Sequence, residues 1–74
     1  MIKDLDTVVL RRDFPEHNLA HGDLGTVVHV YVGRAFEVEC VTLAGETVAV
    51  LTLDAEHVRP IRAGEIANAR QVAA

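Results

Sequence analysis

The stretch FEVECVTLAGETVAVLTL, Phe36 to Leu53, decides the fold, because two apolar runs flank a short glycine turn. Apolar side chains alternate with carboxylates in its first run, in the order Phe36, Glu37, Val38, Glu39, Cys40. This alternation predicts a strand with one face on a core and the other in water. Gly45 supplies the positive φ of a tight turn. The second run, residues 47–53, is apolar on both faces, and we expect something to cover its outer side.

Three further segments have the composition of strands, at residues 6–12, 25–31 and 58–62. A loop over 13–23 separates the first two, and Pro60 restricts the last to an edge or a terminus. A single helical turn with Asp54 as its cap is expected at 54–58. Short strands joined by tight turns predict a mainly β fold, a small SH3-like five-stranded barrel over residues 1–62.

Good helix formers continue from Gly64, and an apolar stripe runs through Ile66, Ala69, Val72 and Ala73. The sequence therefore predicts a short C-terminal helix within a tail at 63–74. A helix of about ten residues is marginal alone in water, so we expect it to pack on the barrel or on a partner.

The sequence GDLG at 22–25 predicts the tight turn that leads into the second strand. We expect Gly22 and Gly25 to adopt conformations closed to other residues, and Asp23 to cap the turn through its side chain. The pattern from Gly22 to Val27 resembles the core of the KOW motif of ribosomal proteins and elongation factors. Asp23 stands where that family carries basic residues, so only the turn carries over.

A second resemblance covers almost the whole chain. The order LDTVVLRRDFPEHNLAHGDLGTVVHVY, then FEVECVTLAGETVAVLTLDAEHVRPIR, resembles small bacterial proteins of the domain-of-unknown-function family 4926. That resemblance implies an SH3-like barrel without an established activity. Some members are encoded beside toxin-like proteins, which suggests an antitoxin or immunity role.

Length and charge narrow the function classes. The length of 74 residues predicts one domain. We expect no leader and no membrane span, and the single cysteine favours a reducing cytoplasm. Net charge is −4, with four basic and ten acidic residues in 1–58, against three basic and one acidic residue in 59–74. A general attraction to nucleic acid is therefore not expected.

No residue set has the spacing of a catalytic, metal or cofactor site, and 74 residues leave little room for a pocket of about 300 Å³. We interpret His17 and His21, with Glu16 and Asp23 nearby, as solvated loop residues and not as metal ligands. We expect Cys40 to be a buried hydrophobe, and we place His29 on the same side as Val27 and Tyr31. The prediction is no enzyme, no cofactor and no metal.

The leading hypothesis is a module that binds a basic protein partner, such as the product of a neighbouring toxin-like gene. The candidate partner-binding residues are Glu37, Glu39, Tyr31, His29 and Arg70. An alternative is a KOW-like RNA or ribosome binder that uses Arg11, Arg12, Arg34, Arg59 and Arg62, although stacking aromatics are few. Another is an accessory subunit, like the barrel of the nitrile hydratase β subunit. A homodimer, formed through the apolar fourth strand or a swapped tail, stays open.

Overall fold

A computed structural model of the protein describes residues 1–32 and 34–72. Five antiparallel strands form one sheet, in the spatial order β4-β3-β2-β1-β5. The strands are β1 Thr7–Leu10, β2 Leu24–Tyr31, β3 Ala35–Val41, β4 Thr47–Asp54 and β5 Val58–Pro60. Two single turns of 3₁₀ helix, at Pro15–His17 and Ala55–His57, are the only helical elements within the described ranges. The mainly β, five-stranded prediction is confirmed.

The predicted closed barrel is wrong, because the sheet stays open between β4 and β5. β5 has only three residues, and all three pair with β1, from Val58 opposite Leu10 to Pro60 opposite Val8. Pro60 has no N–H group to extend a ladder, so the strand ends there.

The core lies on one side of the sheet and takes residues from all five strands. It comprises Val8, Leu10, Phe14, Leu19, Val27, Phe36, Val38, Cys40, Leu51, Leu53 and Val58. The alternation predicted for β3 is confirmed, since Val38 is 0% exposed and Cys40 is 2% exposed. A buried cysteine in apolar surroundings behaves as a small hydrophobe.

The loop between β1 and β2 also contributes to this core. Phe14 and Leu19 exchange backbone hydrogen bonds of 2.9 and 3.1 Å, and both side chains are buried. The 3₁₀ turn between them ends at Asn18, which adopts the left-handed conformation with a φ of 59°. The loop is therefore a compact turn anchored at two points, which sets the position of the following Asp23.

The predicted C-terminal helix is wrong, because residues 61–72, called the tail from here on, contain no helix. Ile66, the first residue of the predicted apolar stripe, is 93% exposed, so no burial compensates for ordering a short helix. Ala73, the last residue of that stripe, lies outside the described residues. Two arginine–carboxylate pairs hold the tail on the surface instead.

Candidate functional site

The outward side of β2, β3 and β4 carries most of the predicted partner-binding residues. We call this surface the acidic face, and it consists of His29, Tyr31, Glu37, Glu39, Thr47, Val50 and Thr52. The strand register brings it together, because Glu37 lies opposite both His29 and Thr52, and Glu39 lies opposite Val50. Residues that lie opposite each other on neighbouring strands have side chains in contact range.

Hydroxyl groups of adjacent residues orient both carboxylates of the acidic face. Glu37 Oε1 accepts hydrogen bonds from Thr52 Oγ1 at 2.6 Å and from Tyr31 Oη at 3.3 Å. Glu39 Oε2 accepts one from Thr47 Oγ1 at 2.9 Å. Sequence reasoning missed the role of the two threonines, because their positions depend on the β3–β4 register.

His29 lies on this face because of a bulge in β2. The register between β2 and β3 shifts between Val27 and His29, so Val28 is an additional residue. Val27 is fully buried, whereas His29 and Tyr31 face outward with ring centroids 4.6 Å apart. The prediction that His29 and Val27 share a side is therefore wrong, although His29 and Tyr31 do share one.

The pKa of Tyr31 is raised by its surroundings on the acidic face. Partial desolvation raises the pKa of its hydroxyl, and the charge and hydrogen bond of Glu37 raise it further. Val50, opposite Glu39, is 48% exposed and adds apolar surface. We expected the outer side of β4 to be covered, but at Val50 it is open to solvent. The acidic face thus combines oriented acceptors, an aromatic ring and exposed aliphatic surface.

Arg70, the fifth predicted partner-binding residue, does not join the acidic face. Its guanidinium binds Asp23, with Nε 2.9 Å from Oδ1 and Nη2 2.5 Å from Oδ2, and Nη2 also donates to the Asn18 carbonyl at 3.0 Å. The hydrogen bond from Arg70 lowers the pKa of Asp23, against the opposing effect of partial burial. The sequence did not indicate this contact, because the two residues are 47 positions apart.

A second pair holds the start of the tail. Arg59 Nη1 and Nη2 donate to the two carboxylate oxygens of Glu65 at 3.0 and 2.7 Å, and the Arg62 backbone N–H donates to Glu65 Oε1 at 2.6 Å. These hydrogen bonds, that of Arg59 first, lower the pKa of Glu65 to about 2. The pairing of Arg59 with Glu65 was not predicted from the sequence.

An open groove of about 1120 Å³ lies between the tail and residues of β1, β2, β3 and the β3–β4 turn. Its apolar lining includes Val9, Leu24, Val41, Leu43 and Ile66. Leu43 is 96% exposed and Val41 is 49% exposed, so the sheet side of the groove is only partly covered. The groove is larger than the pocket that the short sequence led us to expect.

The predicted turn residues have three different roles. Gly22 and Gly45 have positive φ values of 95° and 94°, as expected for tight turns. Asp23 accepts the Ala20 N–H at 2.8 Å, which confirms that it caps the turn through its side chain. Gly25 is not among the positive-φ residues, so the conformational role expected for it is wrong. It is instead a position of close packing against β3.

The histidines of the first loop do not gather the acidic groups suggested by their sequence neighbourhood. The His21 backbone N–H donates to Asp13 Oδ1 at 2.8 Å, and Asp23 is bound by Arg70. Within the described ranges, the group of potential metal ligands is instead Asp54, Glu56 and His57, whose ligand atoms lie within 4.8 Å of one another. His57 Nδ1 accepts the Asp54 N–H at 3.4 Å, so this cluster is the cap of the second 3₁₀ turn.

Comparison with known proteins gives a family but no characterised relative. The model of the family described as Domain of unknown function (DUF4926) matches residues 4–60. No curated protein and no solved structure matches the chain significantly. Among the described residues, no helix has the length and apolar character needed to cross a membrane.

Proposed function

This chain belongs to the DUF4926 family, and from that premise we propose that it is a non-catalytic module that binds a basic protein partner through its acidic face. The observation that carries the proposal is the arrangement of Glu37, which is held between the hydroxyls of Tyr31 and Thr52. A carboxylate fixed in this way loses little conformational freedom when a partner's cation binds it.

The spacing of the two carboxylates supports recognition of more than one cation. Glu37 and Glu39 are two residues apart on one strand face, which separates their backbones by about 7 Å. Tyr31 and Val50, both on the acidic face and 40% and 48% exposed, flank these carboxylates. An exposed aromatic ring beside charged groups is typical of the residues that dominate interface energies.

The charge distribution favours a basic partner over an acidic one. Residues 1–58 carry four basic and ten acidic side chains, and opposite potentials accelerate association and disfavour wrong partners. Two of the seven basic residues, Arg59 and Arg70, are already bound to carboxylates. Of these two, only Arg59 belongs to the arginines on which the alternative of RNA binding depends, so its pairing with Glu65 reduces that basic surface.

The architecture supports an SH3-like classification as part of the same proposal. The strand order β4-β3-β2-β1-β5, and a 3₁₀ turn directly before β5, are the features on which this classification rests. SH3-like domains commonly serve as binding modules, but a fold alone does not specify a function. The accessory-subunit alternative stays a prediction.

The test uses the product of the neighbouring gene as the probe, with an oligo-arginine peptide as a second probe. The variant Glu37→Gln/Glu39→Gln removes both charges from the acidic face and keeps the side-chain shape. The matched control, Glu16→Gln/Glu46→Gln, removes two exposed carboxylates elsewhere. We expect the first variant to weaken binding at low salt by roughly tenfold or more, and the control to change it little.

Two results would contradict this proposal. Equal affinity of the two double variants for the oligo-arginine peptide would show that the acidic face is not the binding surface. Tight binding of the wild-type chain to generic RNA, falling steeply with salt, would favour the RNA-binding alternative. If the neighbouring gene product does not co-purify at low salt, the antitoxin form of the proposal fails.

A further inference from the structure

The loop before β2 contains a set of acceptors that fits one guanidinium group. Both Asp23 carboxylate oxygens and the Asn18 carbonyl oxygen accept hydrogen bonds from Arg70, at 2.9, 2.5 and 3.0 Å. Paired N–H groups on both oxygens of one carboxylate form the fork geometry that arginine makes and lysine cannot. We call these three acceptors the guanidinium site.

The loop holds the guanidinium site in place without help from the tail. Ala20 donates its N–H to Asp23 Oδ2 at 2.8 Å, and the Asp23 N–H donates to the Ala20 carbonyl at 3.0 Å. The Asn18 N–H donates to Pro15 O at 3.1 Å, and the adjacent Leu19 is buried in the core. The acceptors are therefore preorganised, which reduces the entropic cost of binding a new guanidinium.

The present occupant is only weakly attached to the rest of the molecule. Residues 61–71 of the tail are all exposed. The Arg70 side chain itself is 40% exposed against 19% for Asp23. An exposed ion pair of this kind contributes little to stability, so a competing arginine can replace Arg70.

The groove beside the guanidinium site supplies contacts for the neighbours of such an arginine. Leu24 directly follows Asp23 and is 41% exposed, and Val41 and Leu43 extend the apolar surface along β3 and its turn. The tail already crosses this groove without helical structure, so the groove accommodates an extended chain. A partner segment with one arginine and adjacent apolar residues matches both its charge and its surface.

We propose that Asp23 and the Asn18 carbonyl form a binding site for an arginine in an extended segment of the basic protein partner, and that Arg70 occupies this site in the free protein. The inference rests on the proposed function for the kind of partner, but it uses a different surface from the acidic face. The tail is then an internal competitor that the partner displaces.

The test removes the competitor and measures binding of a defined probe. Arg70→Gln leaves the guanidinium site intact and vacant, and Arg62→Gln removes the same charge from the tail while Arg70 stays bound. The probe is a labelled peptide with the sequence of residues 61–74, IRAGEIANARQVAA. We expect it to bind the Arg70→Gln variant about fivefold more tightly than the wild type or Arg62→Gln, as the loss of one exposed ion pair predicts.

Two further measurements localise the binding. In the Arg70→Gln background, a peptide in which lysine replaces the arginine corresponding to Arg70 should lose most of its affinity. Methylguanidinium, but not methylammonium, should shift the amide signals of Ala20 and Asp23. These two measurements leave Asp23 unchanged, so the turn that it caps through the Ala20 N–H stays intact.

The outcomes separate this inference from the proposed function. Binding of the peptide to Arg70→Gln that persists when Glu37 and Glu39 are also replaced by glutamine supports the guanidinium site, whatever the acidic face does. Equal binding to wild type and Arg70→Gln overturns the inference, and so does a lysine peptide that binds as well as the arginine peptide. The neighbouring-gene and oligo-arginine measurements with the Glu37→Gln/Glu39→Gln variant test the proposed function independently.

Discussion

A Cβ atom added to Gly25 would lie 2.5 Å from Cγ1 of Val38, so the Val38 side chain already fills the space that a side chain at position 25 would need. Cys40 Sγ would be 3.1 Å from the same position. We predict that Gly25→Ala lowers the free energy of unfolding by about 1–3 kcal/mol through overpacking, measured by urea denaturation. The backbone at Gly25 is not itself the cause, since the residue is not in the positive-φ region.

A double-mutant cycle identifies the contact responsible. Val38→Ala removes the atom that an alanine at 25 would meet, so the loss in the double variant should be smaller than the sum of the two single losses. Gly45→Ala is the control without a packing clash. The Cβ added at Gly45 meets nothing within 4 Å, so the positive φ of 94° is the only factor that disfavours this substitution. Additive losses for Gly25→Ala and Val38→Ala would contradict this account.

Leucines at two positions provide a matched test of the core. Leu10 is 0% exposed and Leu43 is 96% exposed, so the same substitution by alanine has different consequences. We predict that Leu10→Ala costs roughly 2–5 kcal/mol of stability, and that Leu43→Ala changes it by less than about 0.5 kcal/mol. Thermal or urea unfolding measures both, and similar losses would show that the assigned core is incorrect.

The strands could be predicted from the sequence, whereas the conformation of the tail and the guanidinium site could not. Alternation identified β3 because successive side chains of a strand point to opposite faces of the sheet. Phe36, Val38 and Cys40 are buried as expected. Helix propensity failed for the tail because no burial compensates for ordering a short helix, as the 93% exposure of Ile66 shows. Ion pairs hold the tail instead, between Arg59 and Glu65 nearby and between Arg70 and Asp23, which are 47 positions apart.

The acidic face was predictable only in part. The outward position of Glu37 and Glu39 follows from simple alternation. The outward position of His29 depends on a bulge, which the periodicity of the sequence does not reveal. The threonine hydroxyls that orient the carboxylates depend on the β3–β4 register, which is fixed by the turn and the core together.

The single tyrosine provides a direct measurement of the acidic face. Partial desolvation raises the pKa of Tyr31, and Glu37 raises it further through its charge and through their hydrogen bond. We predict that Glu37→Gln lowers this pKa toward its ordinary value in an ultraviolet pH titration, which reports Tyr31 alone. Glu46→Gln, on the β3–β4 turn, should leave it unchanged, and an equal shift in both variants would exclude a local effect of Glu37.

Acid should release the tail. The pKa of Asp23 is lowered by Arg70, and that of Glu65 is lowered from 4.5 to about 2, mainly by Arg59. A lowered pKa means that the contribution to tail attachment is complete above the ordinary value and is lost as the pH falls through the lowered one. We therefore predict attachment at neutral pH and release as the pH falls from about 4.5 toward 2.

Amide signals of two residues report this release. The Arg62 N–H donates to Glu65 and the Ala20 N–H donates to Asp23, so both should shift with pH in this range. In Glu65→Gln, the Arg62 signal should no longer titrate, whereas that of Ala20 should still do so. A titration of Arg62 that is unchanged in Glu65→Gln would contradict the assignment.

Cys40 should react with thiol reagents only when the sheet opens. The thiol is 2% exposed, and burial, followed by the negative charges of Asp23 and Glu39, raises its pKa to about 11. Because the thiolate is the reactive form, we predict negligible labelling of the native chain at pH 8 and rapid labelling in urea. Since Cys40 is the single cysteine, the labelling rate in water measures the population of the open state. Gly25→Ala, which disturbs the packing beside Cys40, should increase that rate more than Leu43→Ala, and rapid labelling of the wild-type chain would show that β3 is not the protected strand described here.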